Sequence, residues 1–471
     1  MLLIIKLKQE IHQFSKWFKV LFFVMIAIYI LLWLFTIYLS RVQIERGIEP
    51  VLPGASKDSI EYIALSESLI NNSGLNFNGR VETLRLPGYP LFAASIKTIA
   101  GSYFAVTLVQ IILVFASAII IRRIGIFFSS KNVGEIAATL FIINPVTATL
   151  SLFVLTDVLF LFLFIIGFYL AIKINNQKIF WRIFLVSVFF ILAIYVRGMG
   201  IFALPIFIVP LLVARVPFKQ QLRLIGIILL FIAISVTPWI IRNYVKVGVA
   251  SFNSFESVNM SWSIPKFLAV INGTNEGDEI IAFQKATGVP DSAWQDLSWH
   301  DIRYSKQISA IGRKAILDHP FSYLEFHLIT STPFLFPSSI LFARDAYDSV
   351  IQNERPFVYG SINSLTTGDW KGFFQGILKD WWKLAERIGW LIALIIAFYG
   401  IWRDRRNHLV WVFVFIVGYL MLLSGPAAGP RLSFQAWPFI FILFASGGVS
   451  IIKKLKIQIQ QSKIQVKSKN L

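Results

Sequence analysis

Residues 18–39 read FKVLFFVMIAIYILLWLFTIYL, an apolar run interrupted by one charge, Lys19. A hydrocarbon core about 30 Å thick is crossed by roughly 20 apolar helical residues, so this stretch predicts a transmembrane helix. It is longer than the apolar region of a secretory signal. Arg41 follows it where a cleavage site would need small residues, so the reading is an uncleaved anchor. Lys6, Lys8, Lys16 and Lys19 keep the N-terminus in the cytoplasm. Working outward, further spans fall near residues 103–121, 134–150, 154–173, 182–197, 199–214, 223–241, 388–402, 409–424 and 432–452. The expectation is an all-α polytopic membrane protein with about ten transmembrane helices and both termini inside.

The composition agrees. Of 471 residues, 56% are apolar and 15% charged, where a soluble domain carries about 25% charged. An ordinary water-soluble enzyme and a disordered chain are both excluded. The chain has no Cys, which removes disulfides, thiolate catalysis and Cys-ligated metals. The formal charge of +19 would suit nucleic acid, but its distribution gives a different explanation. Two hydrophilic segments, 40–88 and 243–387, are slightly acidic overall, and the remainder holds 26 basic residues against four acids, Glu10, Glu135, Asp157 and Asp404. Those basic residues cluster in alternate short loops: Arg122/Arg123/Lys131, Lys173/Lys178/Arg182, Arg215/Lys219/Arg223 and Arg403/Arg405/Arg406. The Lys-rich tail joins them. This is the positive-inside pattern, and no nucleic acid is needed to account for it.

The expected organisation is a transmembrane module over 1–245 that includes an outward loop at 40–88. An outer domain follows over 246–387, then transmembrane helices over 388–452 and a basic cytoplasmic tail over 453–471. Residues 326–343 (FHLITSTPFLFPSSILFA) are apolar but short and broken by Pro333 and Pro337. If they crossed, Arg403, Arg405 and Arg406 would face outward, so they read as interfacial or re-entrant. In the first loop a short helix is expected over 59–71, with Ile60, Ile63, Ala64 and Ile70 on one face, lying on the membrane surface.

Four places could carry chemistry. Asp58 opens that surface helix; as a local signal Asp58-x-x-Glu61 suits a helix cap, and as a carboxylate it suits a general base. Arg85 lies in TLRLPGYP (residues 83–90), where Pro-Gly suits a type II turn and Tyr89 the aromatic belt. The functional alternative has Arg85 gripping a phosphate with its bidentate fork. Asp157, in LTDVLF, is an acid inside an expected span; it either caps its helix or serves a site. Arg197, Arg242 and Arg431 sit at outer boundaries. Each alone suits a snorkelling anchor. Together with Arg85, on the face where Arg is disfavoured, they suggest an anionic ligand. The five histidines have no metal-site spacing, and Gly-rich phosphate loops and GxSxG are absent.

In order along the chain stand DSIEYIALSESL, RLPGYPLF, LTD, TPWIIRNY (residues 237–244) and PRLSFQAWP (residues 430–438). This ordered set resembles the bacterial protein-mannosyltransferase-like glycosyltransferases of the membrane GT-C type, including those that modify lipopolysaccharide. The resemblance covers residues 18–245 and, more loosely, the last span. It implies a polyprenyl-phosphate sugar donor used at the outer face of the cytoplasmic membrane, in the cell envelope. The acceptor would be a lipid, a glycan or a protein. By position it makes Asp58 the base and Asp157 a second acid. Arg85 lies in the segment that lines the donor site; Arg197, Arg242 and Arg431 join it on the donor phosphate by the charge argument above, and Glu61, Tyr62 and Tyr89 are expected to line the substrate. Relatives often carry two adjacent acids where this chain has Asp58-Ser59, and some use a divalent metal, which stays open here. A single base opposite the leaving phosphate implies inversion. Two other classes remain: a transporter or flippase of lipid-linked sugars, and a polysaccharide polymerase or ligase.

Overall fold

The computed structural model describes residues 9–45, 56–175, 179–213, 216–340, 342–343 and 381–469, almost all of them helical. Residues 344–380 of the outer segment lie outside the described residues. Helix α1 (Lys16–Glu45) leads to α2 (Lys57–Ile70), a two-residue hairpin β1 (Asn76–Phe77) and β2 (Arg80–Val81), and α3 (Gly88–Ala100). Next come α4 (Tyr103–Phe128), α5 (Lys131–Ile143), α6 (Pro145–Ser151), α7 (Thr156–Ile172), α8 (Ile179–Val196), the short α9 (Leu204–Ile208) and α10 (Phe218–Val247). The outer segment supplies α11 (Phe255–Asn272), α12 (Glu276–Thr287), α13 (Asp291–Gln295), α14 (Ile302–Asp318) and α15 (Pro320–Thr330). The chain then closes with α16 (Trp381–Arg403), α17 (His408–Ser424), α18 (Pro430–Ser433) and α19 (Trp437–Lys469).

Among the described residues seven helices are long and apolar enough to cross a membrane. Helices α5 and α6 form an eighth, bent by 60°. The bend has a local cause: Asn144 caps α6 by accepting from the Val146 amide, and Pro145 takes the first helical position. Two shorter apolar helical stretches, Thr156–Ile172 and Ile201–Val213, fall where the spans near 154–173 and 199–214 are expected. Helix α7 is apolar on every side and buried along most of its length, as a helix at the centre of a bundle should be. Helices α1 and α16 leave large apolar side chains exposed, among them Leu31, Tyr38, Ile395 and Phe398, which suits contact with lipid.

The two ends of the bundle differ. At one end Arg122 bonds Glu10 at 2.8 Å, and the Asn407 side chain donates to the Phe128 carbonyl, bringing two basic loops together. The other end carries α2, the hairpin and the outer helices. These have a second hydrophobic core of Ile264, Phe283, Val289, Ala293, Trp299 and Ile308. The Ile302 amide donates to Thr83 Oγ1 at 3.0 Å and ties the outer helices to the first loop. Helix α15 and the turn after it are not among the helices long and apolar enough to cross a membrane; Phe334 is buried and its carbonyl accepts from Ser433 Oγ.

Helix α2 departs from expectation in its buried face. Ser59, Tyr62, Leu65 and Ser66 face inward, and Ile60 is 60% exposed. Ile60 looks outward while Ile63 and Ala64 are half-buried, because α2 packs against α3 through Tyr62 and Ser66: Ser66 Oγ donates to the Pro90 carbonyl.

Candidate active site

The site is built from the first and last outer loops. Helix α2 is capped not by Asp58 but by Ser56, whose side chain accepts from the Ser59 amide. Asp58 therefore occupies the first turn with its carboxylate free for other partners, and the cap reading of this residue is corrected. Arg85 is reached through RLPGYP. Glu82 Oε1 accepts from the Leu84 and Arg85 amides, fixing the backbone there. The Pro-Gly pair does not make a turn of its own; Pro87 caps α3 and Gly88 begins it. A Cβ on Gly88 would lie 2.6 Å from the Tyr195 carbonyl oxygen, so glycine permits α3 to abut the end of α8.

From these positions a line of alternating charges runs across the outer end of the bundle. Arg85 donates to Glu61 at 2.9 Å and to Asp58 at 2.6 Å. Asp58 also accepts from Arg431 at 2.5 Å, and Arg431 donates through its Nε to Asp157 at 2.9 Å. Asp157, fully buried, pairs in addition with Arg197 and accepts from Gln435 at 3.2 Å. Asp157 lies in the first turn of α7, which Leu155 precedes without a side-chain cap. Its carboxylate serves the two arginines and does not cap the helix. Arg197 and Arg431 likewise turn inward and do not snorkel. Burial raises the proton affinity of Asp58, but the guanidinium charges of Arg85 and Arg431 outweigh it and hold the carboxyl well below the usual range.

The other expected residues fall elsewhere. Arg242 donates to the Glu82 carbonyl at 2.7 Å and lies over the Trp239 ring at 4.5 Å, so it clamps the loop that carries Arg85 and stands apart from the charge line. The neighbouring Asn243 donates to the carbonyls of Ser251 and Phe252. The motif TPWIIRNY thus holds the first loop to the outer helices. Tyr62 borders the site, with the Arg85 guanidinium 5.2 Å from its ring centre. Tyr89 is fully buried, and its hydroxyl donates to Gln110 Oε1 at 2.6 Å. It supports Tyr62 from behind, edge to face at 5.0 Å, and lies away from the aromatic belt.

Two cavities meet at this line. One, of about 440 Å³, is bordered by Arg85, Arg197, Arg431, Tyr62, Met199 and Phe342. The other, of about 510 Å³, opens toward the outer helices and is bordered by Trp262, Trp299, His300, Tyr323 and His327. Asp58 and Arg85 border both. The carboxylates do not fit a divalent metal: Arg431 occupies the gap between Asp58 and Asp157, and both oxygens of each acid already accept from guanidinium groups. Among the described residues no group of three or more His, Asp or Glu is placed to hold a metal ion.

Gln435 and His300 were not anticipated. Gln435 lies in the turn after α18, close behind Arg431 in sequence. Burial and the Arg85 charge push His300 down to about 4, with Asp58 opposing, so its imidazole is neutral at pH 7.

Neither a protein-family model nor a curated protein matches the sequence. Among solved structures, the chain is similar to the apo oligosaccharyltransferase of Archaeoglobus fulgidus, with TM-score 0.47 and 15% identity over 94% of this chain and 52% of that one. The archaeal oligosaccharyltransferase AglB from the same organism, in complex with an inhibitory peptide and a dolichol-phosphate, gives 0.45 and 13% over 96% and 52%. ArnT from Cupriavidus metallidurans bound to undecaprenyl phosphate gives 0.40 and 12% over 90% and 77%. The chain spans about half the length of the oligosaccharyltransferase chains.

Proposed function

We propose that this multi-pass membrane protein is an inverting glycosyltransferase of the GT-C type. It would take a sugar from a polyprenyl-phosphate donor at the outer face of the cytoplasmic membrane and pass it to an acceptor hydroxyl. The observation that carries the reading is the charge line: three arginines, Arg85, Arg431 and Arg197, converge with Asp58 where two cavities meet. Arginine is under-represented at an outward face, and its planar fork suits phosphate.

In this reading the donor phosphate enters the cavity bordered by Arg85, Arg197 and Arg431 and competes with the carboxylates for their guanidinium groups. As it draws Arg431 and Arg85 toward itself, Asp58 loses the charges that suppress its basicity. Donor binding thereby arms the base. The acceptor oxygen then bonds to the anomeric carbon while the bond from that carbon to the phosphate oxygen breaks. The electron pair leaves with the lipid phosphate, and the acceptor proton passes to Asp58. The phosphate gains negative charge as it departs, so the arginines bind the transition state more strongly than the bound donor. No general acid is needed because the phosphate is already a good leaving group. Attack from the face opposite the phosphate inverts the anomeric centre.

A transporter is less well supported, since the buried acid Asp157 stands in the first turn of α7, at a helix end and not midway along it. The test is lipid-phosphate binding by the full chain in nanodiscs, with undecaprenyl phosphate as the probe. Binding that weakens at least tenfold in Arg85→Ala, and only partly recovers in Arg85→Lys, supports the reading. Equal binding by wild type and Arg85→Ala removes Arg85 from the donor site.

A further inference from the structure

The cavity on the outer-domain side of Asp58 is left over by the donor reading. One wall of it is a single stripe of α11: Phe255, Val258, Asn259, Trp262, Ser263 and Lys266. Their spacing of three and four residues puts them on one face of the helix. The opposite face carries Ile264, fully buried in the outer-domain core. The helix therefore spends one face on the core and presents the other to the cavity. On that second face Trp262 remains 63% exposed. Across from it stand Tyr323, His327 and Trp299. Trp299 is held in place by stacking on Trp294 at 4.8 Å, and His327 by the Leu422 carbonyl at 2.7 Å. Asp58, Glu61 and Arg85 lie at the inner end.

We infer that this cavity is the acceptor subsite and that the acceptor presents a carbohydrate there, with the C–H face of a sugar ring on Trp262 and the reacting hydroxyl at Asp58. The inference rests on the glycosyltransferase reading and adds the chemical class of the acceptor. A sugar ring has an apolar face and a rim of hydroxyls. The α11 stripe matches both, alternating an aromatic face at Trp262 with the amide of Asn259, the hydroxyl of Ser263 and the ammonium of Lys266. A fatty acyl chain in the same place would cover the Asn259 amide and offer it no partner, whereas Ser263 and Lys266 are already engaged by the Asn259 carbonyl and by Glu276. Neutral His300 can either donate or accept a hydrogen bond from a hydroxyl. The continuity of the cavity with Asp58 gives the bound sugar a path to the base.

The experiment uses the full chain in nanodiscs, applied to a panel of lipid-free oligosaccharides of cell-envelope type, with oleate and a random peptide pool as competitors. Wild type is expected to retain at least one oligosaccharide, Trp262→Ala to lose about five- to tenfold in retention, and Trp262→Phe to keep most of it. Undecaprenyl phosphate binding should be unchanged in Trp262→Ala, which separates this cavity from the donor site and shows that the variant is folded. Failure of wild type to bind undecaprenyl phosphate would count against the donor reading alone. Retention of no oligosaccharide, equal retention by Trp262→Ala, or displacement by oleate or by the peptide pool overturns the carbohydrate assignment.

Discussion

Arg431 Nη1 lies 2.5 Å from Asp58 Oδ2, joining the last outer loop to the first across 373 residues of sequence. The same guanidinium reaches Asp157 through Nε at 2.9 Å. One arginine thus holds the proposed base and the buried second acid together, and its removal should have consequences of two kinds.

Arg431→Gln should lower donor affinity at least tenfold and release Asp58 from one of its two suppressing charges. The acid limb of kcat/KM reports the free enzyme. In wild type that limb should lie below the ordinary carboxylate range, so kcat/KM should stay level from pH 7 to pH 5. In Arg431→Gln, burial is opposed by Arg85 alone, and the limb should move upward into that window. A pH profile of both proteins checks this; identical limbs would detach Asp58 from Arg431.

Asp157→Asn should fail by another route. Breaking a buried ion pair costs about 3–5 kcal/mol because the remaining charge is stranded, and here both Arg197 and Arg431 lose a partner. The expected result is a lower thermal unfolding midpoint together with reduced transfer. Wild-type stability in purified Asp157→Asn would show that the pairing is not structural.

Gly88→Ala tests the close approach of α3 to α8. The added methyl meets backbone at Tyr195 and cannot be accommodated by a side-chain rotation, so a loss of about 1–3 kcal/mol is expected. Gly226→Ala, which meets nothing within 4 Å, is the control and should unfold at or above the wild-type midpoint. Equal midpoints for the two variants would contradict the packing described for α3.

His300 gives a pH signature of stability. Its folded value, about 4, lies below its ordinary value of 6.5. Its contribution is complete above pH 6.5 and is lost as pH falls toward 4, because the unfolded chain takes up the proton first. His300→Gln should flatten the fall of the unfolding midpoint over that window. Parallel curves for wild type and variant would place His300 in an environment more open than the one described.

Much of the fold is legible in the sequence because bilayer thickness and backbone hydrogen bonding leave few options. The ten expected apolar stretches each overlap a helical stretch, although the one at 134–150 bends at Asn144-Pro145 and the last helix runs on well past residue 452. The four acids left among the basic loops, Glu10, Glu135, Asp157 and Asp404, were a stronger signal than their local motifs. Each proves to have an arginine partner, as an acid near hydrocarbon requires. What the sequence did not reveal is pairing at a distance. Nothing local separates Arg242, which clamps a loop, from Arg431, which bridges two acids. Capping was misread for a simple reason: Ser56 precedes Asp58 and takes the cap first. The buried face of α2 was missed because Tyr62 and Ser66 have tertiary partners that outweigh the isoleucine stripe.

The proposed role of Asp58 is tested most directly by the Asp58→Asn protein in proteoliposomes, assayed for transfer from a polyprenyl-phosphate sugar. Asparagine keeps the size of the side chain and can still meet one guanidinium, but it accepts no proton. Ser56, which caps the helix, is untouched. The variant should express, bind undecaprenyl phosphate at least as well as wild type, and lose transfer by about 10²–10⁴, the range for removing a general base. Transfer near the wild-type rate with normal donor binding would contradict the assignment of Asp58 as the base.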